Sequence, residues 1–263
     1  MTATFNTPQE MPYGPAHPLQ VLDLYRQCSD PDAYWVTFIH GGAWSDPEMT
    51  KSGGHPLIRS LLPKYPRLNA ASINYRLSPH PRYPSNGNAA KHPDHIDDVR
   101  LALSFLQERY SMRREKTVLV GHSAGAYMAF QVDAGCGAAA AVVVGIGGVY
   151  HLGRLVEEYA DYEGFVERAF GGGWRQVDAE GLAEVEDGGK GGGRVVLVHS
   201  SQDELLSFGQ SRYWAGVLRG RGRVVKEVYG AMGNHNEAPK GTELVGVVEA
   251  ELEELEMESA KGN

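Results

Sequence analysis

The chain has few cysteines, no long hydrophobic run and no excess of positive charge. Cys28 and Cys136 are too few for a disulfide framework in 263 residues, so we expect a protein of the reducing cytoplasm. No apolar run approaches the ~18 residues that cross a bilayer, and the first 20 residues lack the basic and apolar regions of a signal peptide. The net charge of −8 disfavours nucleic acid and membranes as partners.

The sequence has enough apolar residues for one large α/β domain over 1–263. It is 42% hydrophobic and 22% charged, as globular domains are. Asp94–Tyr110 and Pro239–Glu258 carry apolar stripes with helical spacing, and Val21–Tyr25 alternates as a half-exposed edge strand does. Strand–helix alternation predicts a mostly parallel sheet with helices on both faces. The other predicted strands are Val36–Ile39, Ala70–Tyr75, Val118–Val120, Ala141–Ile146, Val195–His199 and Val224–Tyr229.

Glycine is the over-represented residue, with 33 in the chain. Gly171–Gly173 and Gly188–Gly193 bracket an acidic, weakly patterned stretch, which we interpret as a surface loop. A phosphate loop is disfavoured, because Gly188-Gly189-Lys190 lacks the leading spacing and the hydroxyl of that motif. The loop falls within residues 150–193, for which we predict an insertion with a helical lid between two strands.

The strongest motif is Gly121-His122-Ser123-Ala124-Gly125, which lies between an aliphatic strand and a helix-compatible stretch. Gly-x-Ser-x-Gly in this context predicts a nucleophile elbow, a strained turn that leaves the Ser123 hydroxyl exposed at a helix N-terminus. The backbone N–H of the next residue can then donate to an oxyanion.

A second glycine motif follows an earlier strand. In His40-Gly41-Gly42-Ala43-Trp44, adjacent glycines allow successive backbone N–H groups to point into one cavity. A His-Gly-Gly loop in this position complements a nucleophile elbow, so we interpret it as an oxyanion hole. The alternative is a plain Gly-Gly turn beside a core histidine.

A serine nucleophile also needs an acid and a histidine, in that chain order. Asp203 and Glu204 follow a predicted strand, and Asp203 is the preferred acid because the adjacent leucines favour Glu204 as the start of a helix. His235 lies in a glycine-flanked loop after the last strand, where the general base belongs. His199 and His122 are interpreted as structural. His92 and His95 lack a third ligand at a metal-binding spacing, so no metal site is predicted.

Eight blocks in residues 35–237 match one family in the same order along the chain. They are His40-Gly41-Gly42-Ala43-Trp44, Asn74–Pro79, Val120–Ser123, Gly148–Leu152, Glu158–Tyr162, Arg168–Phe170, Val198–Leu206 and His235-Asn236. Together they resemble the kynurenine formamidases, also called arylformamidases, and look most like their fungal branch. Gly171–Gly193 has no counterpart in that resemblance.

The resemblance implies the α/β-hydrolase fold and a serine hydrolase that converts N-formyl-L-kynurenine to formate and L-kynurenine. It implies a homodimer and no metal or organic cofactor. Gly42 and Ala43 would then supply oxyanion N–H groups, with Ala124 as the further donor. An aromatic wall for the leaving group is expected, and its candidates are Trp44, Tyr127, Tyr159 and Tyr162.

Two alternatives stay open at this point. A general carboxylesterase for small acyl esters would use the same catalytic residues and differ only in the leaving-group pocket. A non-catalytic binding protein of the same fold is disfavoured by the intact Ser123, Asp203 and His235.

Overall fold

The protein folds around one mixed, mostly parallel sheet of eight strands, as seen in a computed structural model that describes residues 7–84, 87–135, 140–178 and 193–261. The strand order is β1-β2-β4-β3-β5-β6-β7-β8; β1, β2 and β4 pair antiparallel and the remaining pairs are parallel. This confirms the predicted α/β-hydrolase fold. The strands are β1 (Gln9–Pro12), β2 (Val21–Tyr25), β3 (Tyr34–Ile39), β4 (Leu68–Ile73), β5 (Thr117–His122), β6 (Val142–Ile146), β7 (Arg194–Ser200) and β8 (Val225–Gly230).

The prediction that Val21–Tyr25 is a half-exposed edge strand is wrong. The polar N-terminal segment forms β1, which pairs with β2 on its outer side, and four of the five residues of β2 are buried. β1 itself is mostly exposed and ends at Pro12, as suits an edge position. The strand predicted over Ala70–Tyr75 ends earlier, at Ile73.

Seven α-helices have both ends in the described residues, and residues 174–178 are also helical. The helix predicted over Asp94–Tyr110 has those bounds, whereas the last helix begins at Thr242 because Pro239 lies in a separate 3₁₀ turn, Ala238–Lys240. The helices are α1 (His55–Leu61), α2 (Asp94–Tyr110), α3 (Ala124–Gly135), α4 (Leu152–Glu158), α5 (Glu163–Phe170), α6 (Phe208–Gly220) and α7 (Thr242–Lys261). Within these residues no helix is long and apolar enough to cross a membrane.

Both faces of the sheet are covered by apolar side chains. On β5, Leu119 packs in the core cluster of one face, while Val118 and Val120 pack in that of the other. Burial on both sides explains why the central strands read as continuous aliphatic runs. The parallel strands β3, β5, β6, β7 and β8 bring their carboxyl ends to one edge of the sheet.

Residues 150–178 connect β6 towards β7 and include α4 and α5. They fall in the predicted insertion, and α5 contributes side chains to the cavity described below. Residues 179–192, which include most of the predicted glycine-rich loop, lie outside the described residues.

Candidate active site

Ser123 occupies a strained turn between β5 and α3. Its φ of +53° is in the left-handed region, which residues other than glycine seldom adopt. The turn is held by the Ser123 N–H, which donates to the Ile146 carbonyl of β6 at 3.1 Å. Left-handed strain of this kind costs on the order of 1–3 kcal/mol and clusters at functional sites. The strained turn is the geometry predicted for a nucleophile elbow.

The glycines on either side of Ser123 are required by close packing. A Cβ on Gly121 would lie 2.5 Å from the Gly125 carbonyl oxygen, and a Cβ on Gly125 would lie 2.2 Å from the Ile39 carbonyl oxygen. Both distances are far below van der Waals contact. The Gly-x-Ser-x-Gly spacing therefore allows α3 to begin directly against the carboxyl end of β3.

Asp203 and His235 are joined by a hydrogen bond. The Asp203 Oδ2 lies 2.7 Å from the His235 Nδ1, and both side chains are almost fully buried. The carboxylate accepts two further hydrogen bonds at Oδ1, from the N–H groups of Leu205 and Leu206 at 2.9 and 2.8 Å. A His235 Nδ1 that donates to a carboxylate leaves Nε2 free to act as a base.

A second histidine contacts the same carboxylate, which sequence reasoning missed. The His199 Nε2 lies 3.3 Å from the Asp203 Oδ2 and donates to the Leu206 carbonyl at 2.9 Å. Burial raises the pKa of Asp203, but the hydrogen bonds from His199 and His235 outweigh it and hold that pKa well below its usual range. The carboxylate is therefore ionised at neutral pH.

The loop that carries His235 is fixed on two sides. The His235 backbone N–H donates to the Glu204 Oε2 at 3.0 Å. Glu204, the alternative acid, therefore contacts the main chain of His235, while Asp203 contacts its ring. The His235 carbonyl accepts from the His122 Nε2 at 3.0 Å. Burial, and to a smaller extent the neighbouring His235, lowers the pKa of His122 to about 3. His122 is therefore a neutral donor at neutral pH.

The loop after β3 has the backbone of an anion-binding turn. Gly42, Ala43 and Trp44 have successive φ values of +94°, +47° and +57°. In the part of the chain that the structure describes, the N–H groups of Gly42 and Ala43 donate to no acceptor. The Tyr75 hydroxyl holds the preceding residues through the carbonyls of His40 and Gly41, at 3.1 and 3.0 Å.

The third candidate donor, Ala124, is the first residue of α3, where the N–H has no partner within the helix. Strand register brings these two groups of N–H donors together, since Ile39 at the end of β3 pairs with Gly121 of β5. The arrangement could stabilise a negative oxygen beside Ser123.

A cavity of about 310 Å³ opens over the site and includes Ser123 and His235 in its wall. No hydrogen bond joins the Ser123 hydroxyl to the His235 ring among the described residues, and such contacts are often long in ligand-free active sites. The other lining residues are mainly apolar or aromatic: Gly42, Ala43, Trp44, Ser45, Asp46, Met49, His80, Val149, Tyr162, Phe165, Arg168, Leu205, Leu206 and Asn236.

Two of the four predicted aromatic wall residues line this cavity. Trp44 and Tyr162 do, whereas Tyr127 packs behind Trp44 at a ring-centroid distance of 5.6 Å and Tyr159 stacks on Tyr162 at 5.0 Å. Tyr127 and Tyr159 are therefore not among the residues that line this cavity. Phe165 lines the cavity instead, and only its position on α5 shows this.

Within the described part of the chain, His92 and His95 belong to no cluster of metal-binding side chains. His95 is buried, its Nε2 contacts the Ser78 hydroxyl at 2.9 Å, and burial lowers its pKa to about 4. In residues 7–84, 87–135, 140–178 and 193–261, no group of three His, Cys, Asp or Glu side chains could hold a metal ion.

Solved structures similar to this chain show its fold, and similar curated proteins show its family. A structure of an inhibited esterase B from Lactobacillus rhamnosis superposes with a TM-score of 0.75 at 18% identity, covering 97% of this chain and 89% of that one. This likeness shows the fold. The family model described as BD-FAE matches residues 22–135.

The sequence relatives are more specific. The kynurenine formamidase of Meyerozyma guilliermondii is 33% identical over 232 residues, which cover 83% of this chain and 84% of that protein. The kynurenine formamidase avaC of Aspergillus versicolor is 30% identical, with coverage of 78% and 83%. The chain therefore belongs to the kynurenine formamidase family of α/β-hydrolases.

Proposed function

We propose that this protein is a serine hydrolase that cleaves the formamide of N-formyl-L-kynurenine, with Ser123 as nucleophile, His235 as base and Asp203 as its orienting acid. The observation that carries the proposal is the bond of 2.7 Å between Asp203 and a His235 ring that lines the same cavity as the strained Ser123. Membership in the kynurenine formamidase family supports the choice of substrate.

The first half of the reaction forms a formyl-enzyme. The His235 Nε2 takes the proton of the Ser123 hydroxyl while Oγ attacks the formyl carbon, and the Asp203 carboxylate stabilises the resulting imidazolium. The carbonyl oxygen becomes an oxyanion that accepts from the N–H groups of Gly42, Ala43 and Ala124. Each such donor contributes about 3–4 kcal/mol in the transition state. The C–N bond then breaks, and His235 returns the proton to the departing arylamine.

The second half releases formate. His235 removes a proton from water, the hydroxide attacks the formyl carbon, and the C–O bond to Ser123 breaks as the serine recovers its proton. The formyl group carries only a hydrogen, so little room is needed beside the oxyanion. The aryl ketone of the leaving group needs apolar contacts instead, which Trp44, Tyr162 and Phe165 offer in the cavity wall.

A comparison of two substrates tests the proposal. Purified protein should hydrolyse N-formyl-L-kynurenine with a higher kcat/KM than p-nitrophenyl acetate. Hydrolysis of N-formyl-L-kynurenine is measured from the appearance of the kynurenine chromophore. Appreciable turnover of the ester alone would favour the general carboxylesterase and contradict the formamidase proposal. The homodimer implied by the family resemblance and the cytoplasmic location expected from the sequence stay predictions.

A further inference from the structure

Among the described residues, Arg168 lines the cavity with no ion pair or hydrogen bond to the protein. The Arg168 side chain borders the same space as Ser123 and His235, and its Nε is buried with no hydrogen bond. Among the described residues no carboxylate lies within ion-pair distance of its guanidinium, including Asp46 in the same wall. Several other arginines that the structure describes do form ion pairs, for example Arg76 with Asp98 at 2.8 Å.

Arg168 is held at a fixed place relative to the nucleophile. It lies on α5, between Phe165 and Phe170, and both of these rings pack against Trp44 at centroid distances of 6.3 and 4.9 Å. Trp44 directly follows the loop with the candidate oxyanion donors. The packing of one tryptophan therefore links the position of the guanidinium to the position of the reacting carbonyl.

The Arg168 side chain is half-buried, and its buried Nε without an acceptor is unfavourable unless a ligand supplies one. Removing a charge from water without a partner is unfavourable, whereas a planar guanidinium can bind a carboxylate through two parallel hydrogen bonds. The other charged or titratable side chains that line the cavity are Asp46, His80, Tyr162 and His235. None of them offers Arg168 a bonded partner.

We propose that Arg168 binds a carboxylate on the leaving-group side of the substrate and so selects aryl formamides that carry a carboxylate over those that lack one. The inference rests on the proposed function, because N-formyl-L-kynurenine carries an α-carboxylate on the chain attached to its ring. Arg168 acts as a specificity-determining residue: it holds the end of the substrate that does not react.

Matched ligands with and without the carboxylate test this. We compare N-formyl-L-kynurenine with its carboxamide as substrates, and L-kynurenine with its carboxamide as ligands measured by calorimetry. The variants are Arg168→Met, which removes the charge, and Arg168→Lys, which keeps it without the planar fork. Arg100→Met is the control, since Arg100 is an exposed arginine on α2 that pairs with Asp97 and does not line the cavity.

Arg168→Met should lower kcat/KM for N-formyl-L-kynurenine by about 10- to 100-fold, mainly through KM, and weaken L-kynurenine binding by a similar factor. Both carboxamides should change by less than about threefold, Arg168→Lys should recover part of the loss, and Arg100→Met should behave as the parent. Equal losses for the acid and the carboxamide, or no loss for either, would overturn the inference.

A second pair of substrates separates failure of the proposed function from failure of the role given to Arg168. If the parent protein does not cleave N-formyl-L-kynurenine, the same variants are tested on 3-(4-acetoxyphenyl)propanoate and its carboxamide, two aryl acetates that differ only in the carboxylate. A loss confined to the acid supports the role of Arg168 even then. Equal effects on the two esters, with unchanged binding of L-kynurenine, reject it.

Discussion

Replacing Asp203 by asparagine tests the most specific contact of the site. The Asp203 Oδ2 accepts from the His235 Nδ1 at 2.7 Å, while Oδ1 accepts from the N–H groups of Leu205 and Leu206. An asparagine can keep its oxygen on the two backbone N–H groups. Its NH₂ group then faces the His235 Nδ1 and forces that nitrogen to become the acceptor. The proton of the neutral imidazole moves to Nε2, which can no longer accept the proton of Ser123.

The magnitude follows from the loss of the correct tautomer. A change of this kind lowers kcat by about 10⁴-fold, or roughly 5.4 kcal/mol at about 1.36 kcal/mol for each tenfold step. Glu204→Gln is the matched control. In the part of the chain that the structure describes, the Glu204 Oε2 accepts one hydrogen bond, from the His235 backbone N–H at 3.0 Å, and a glutamine oxygen can accept the same bond. The control should therefore lose less than about tenfold.

The assay measures kcat and KM for N-formyl-L-kynurenine in both variants, with thermal melts to verify folding. The expected result is a fall in kcat for Asp203→Asn with an almost unchanged KM. Near-normal turnover of Asp203→Asn together with loss of activity in Glu204→Gln would refute the assignment and make Glu204 the acid.

Three further predictions follow from the same contacts. Gly125→Ala should lower the melting temperature and reduce kcat by more than tenfold, because the new Cβ would lie 2.2 Å from the Ile39 carbonyl oxygen. An unchanged melting temperature and an unchanged kcat would contradict the packing argument. His199→Leu removes one N–H from the Asp203 carboxylate, so kcat should fall by about tenfold while KM changes little, and a loss of stability alone would show that His199 only packs. The folded pKa of His122 is about 3, against about 6.5 unfolded, so the unfolded state takes up a proton first as pH falls. The free energy of unfolding should therefore drop by about 1.4 kcal/mol per pH unit from this group between pH 6 and 4 in urea titrations, and His122→Phe should remove that part of the slope.

The parts of the site that follow from local sterics could be predicted from the sequence. Gly121 and Gly125 are required by backbone contacts that any strand–serine–helix turn of this kind creates, so the motif and its context indicated the elbow. The order serine, acid, histidine indicated Asp203 and His235, and the buried parallel strands were visible as aliphatic runs.

The remaining features depend on packing between distant segments. β1 has neither alternation nor an aliphatic run, because it is an exposed edge strand. The contact of His199 with Asp203 depends on how the loop after β7 folds back. The orientation of α5 decides which of several aromatic residues line the cavity. The sequence alone does not distinguish Arg168 from the other arginines, because its place in the cavity wall depends on the same helix.

The most direct test of the central claim is covalent labelling of the nucleophile. A fluorophosphonate probe is incubated with the parent protein, with Ser123→Ala and with His235→Ala, and the modified peptide is mapped by mass spectrometry. We predict one adduct on Ser123 in the parent, none in Ser123→Ala and labelling slowed by several orders of magnitude in His235→Ala. An adduct on another residue, or turnover of N-formyl-L-kynurenine that persists in Ser123→Ala, would contradict the account.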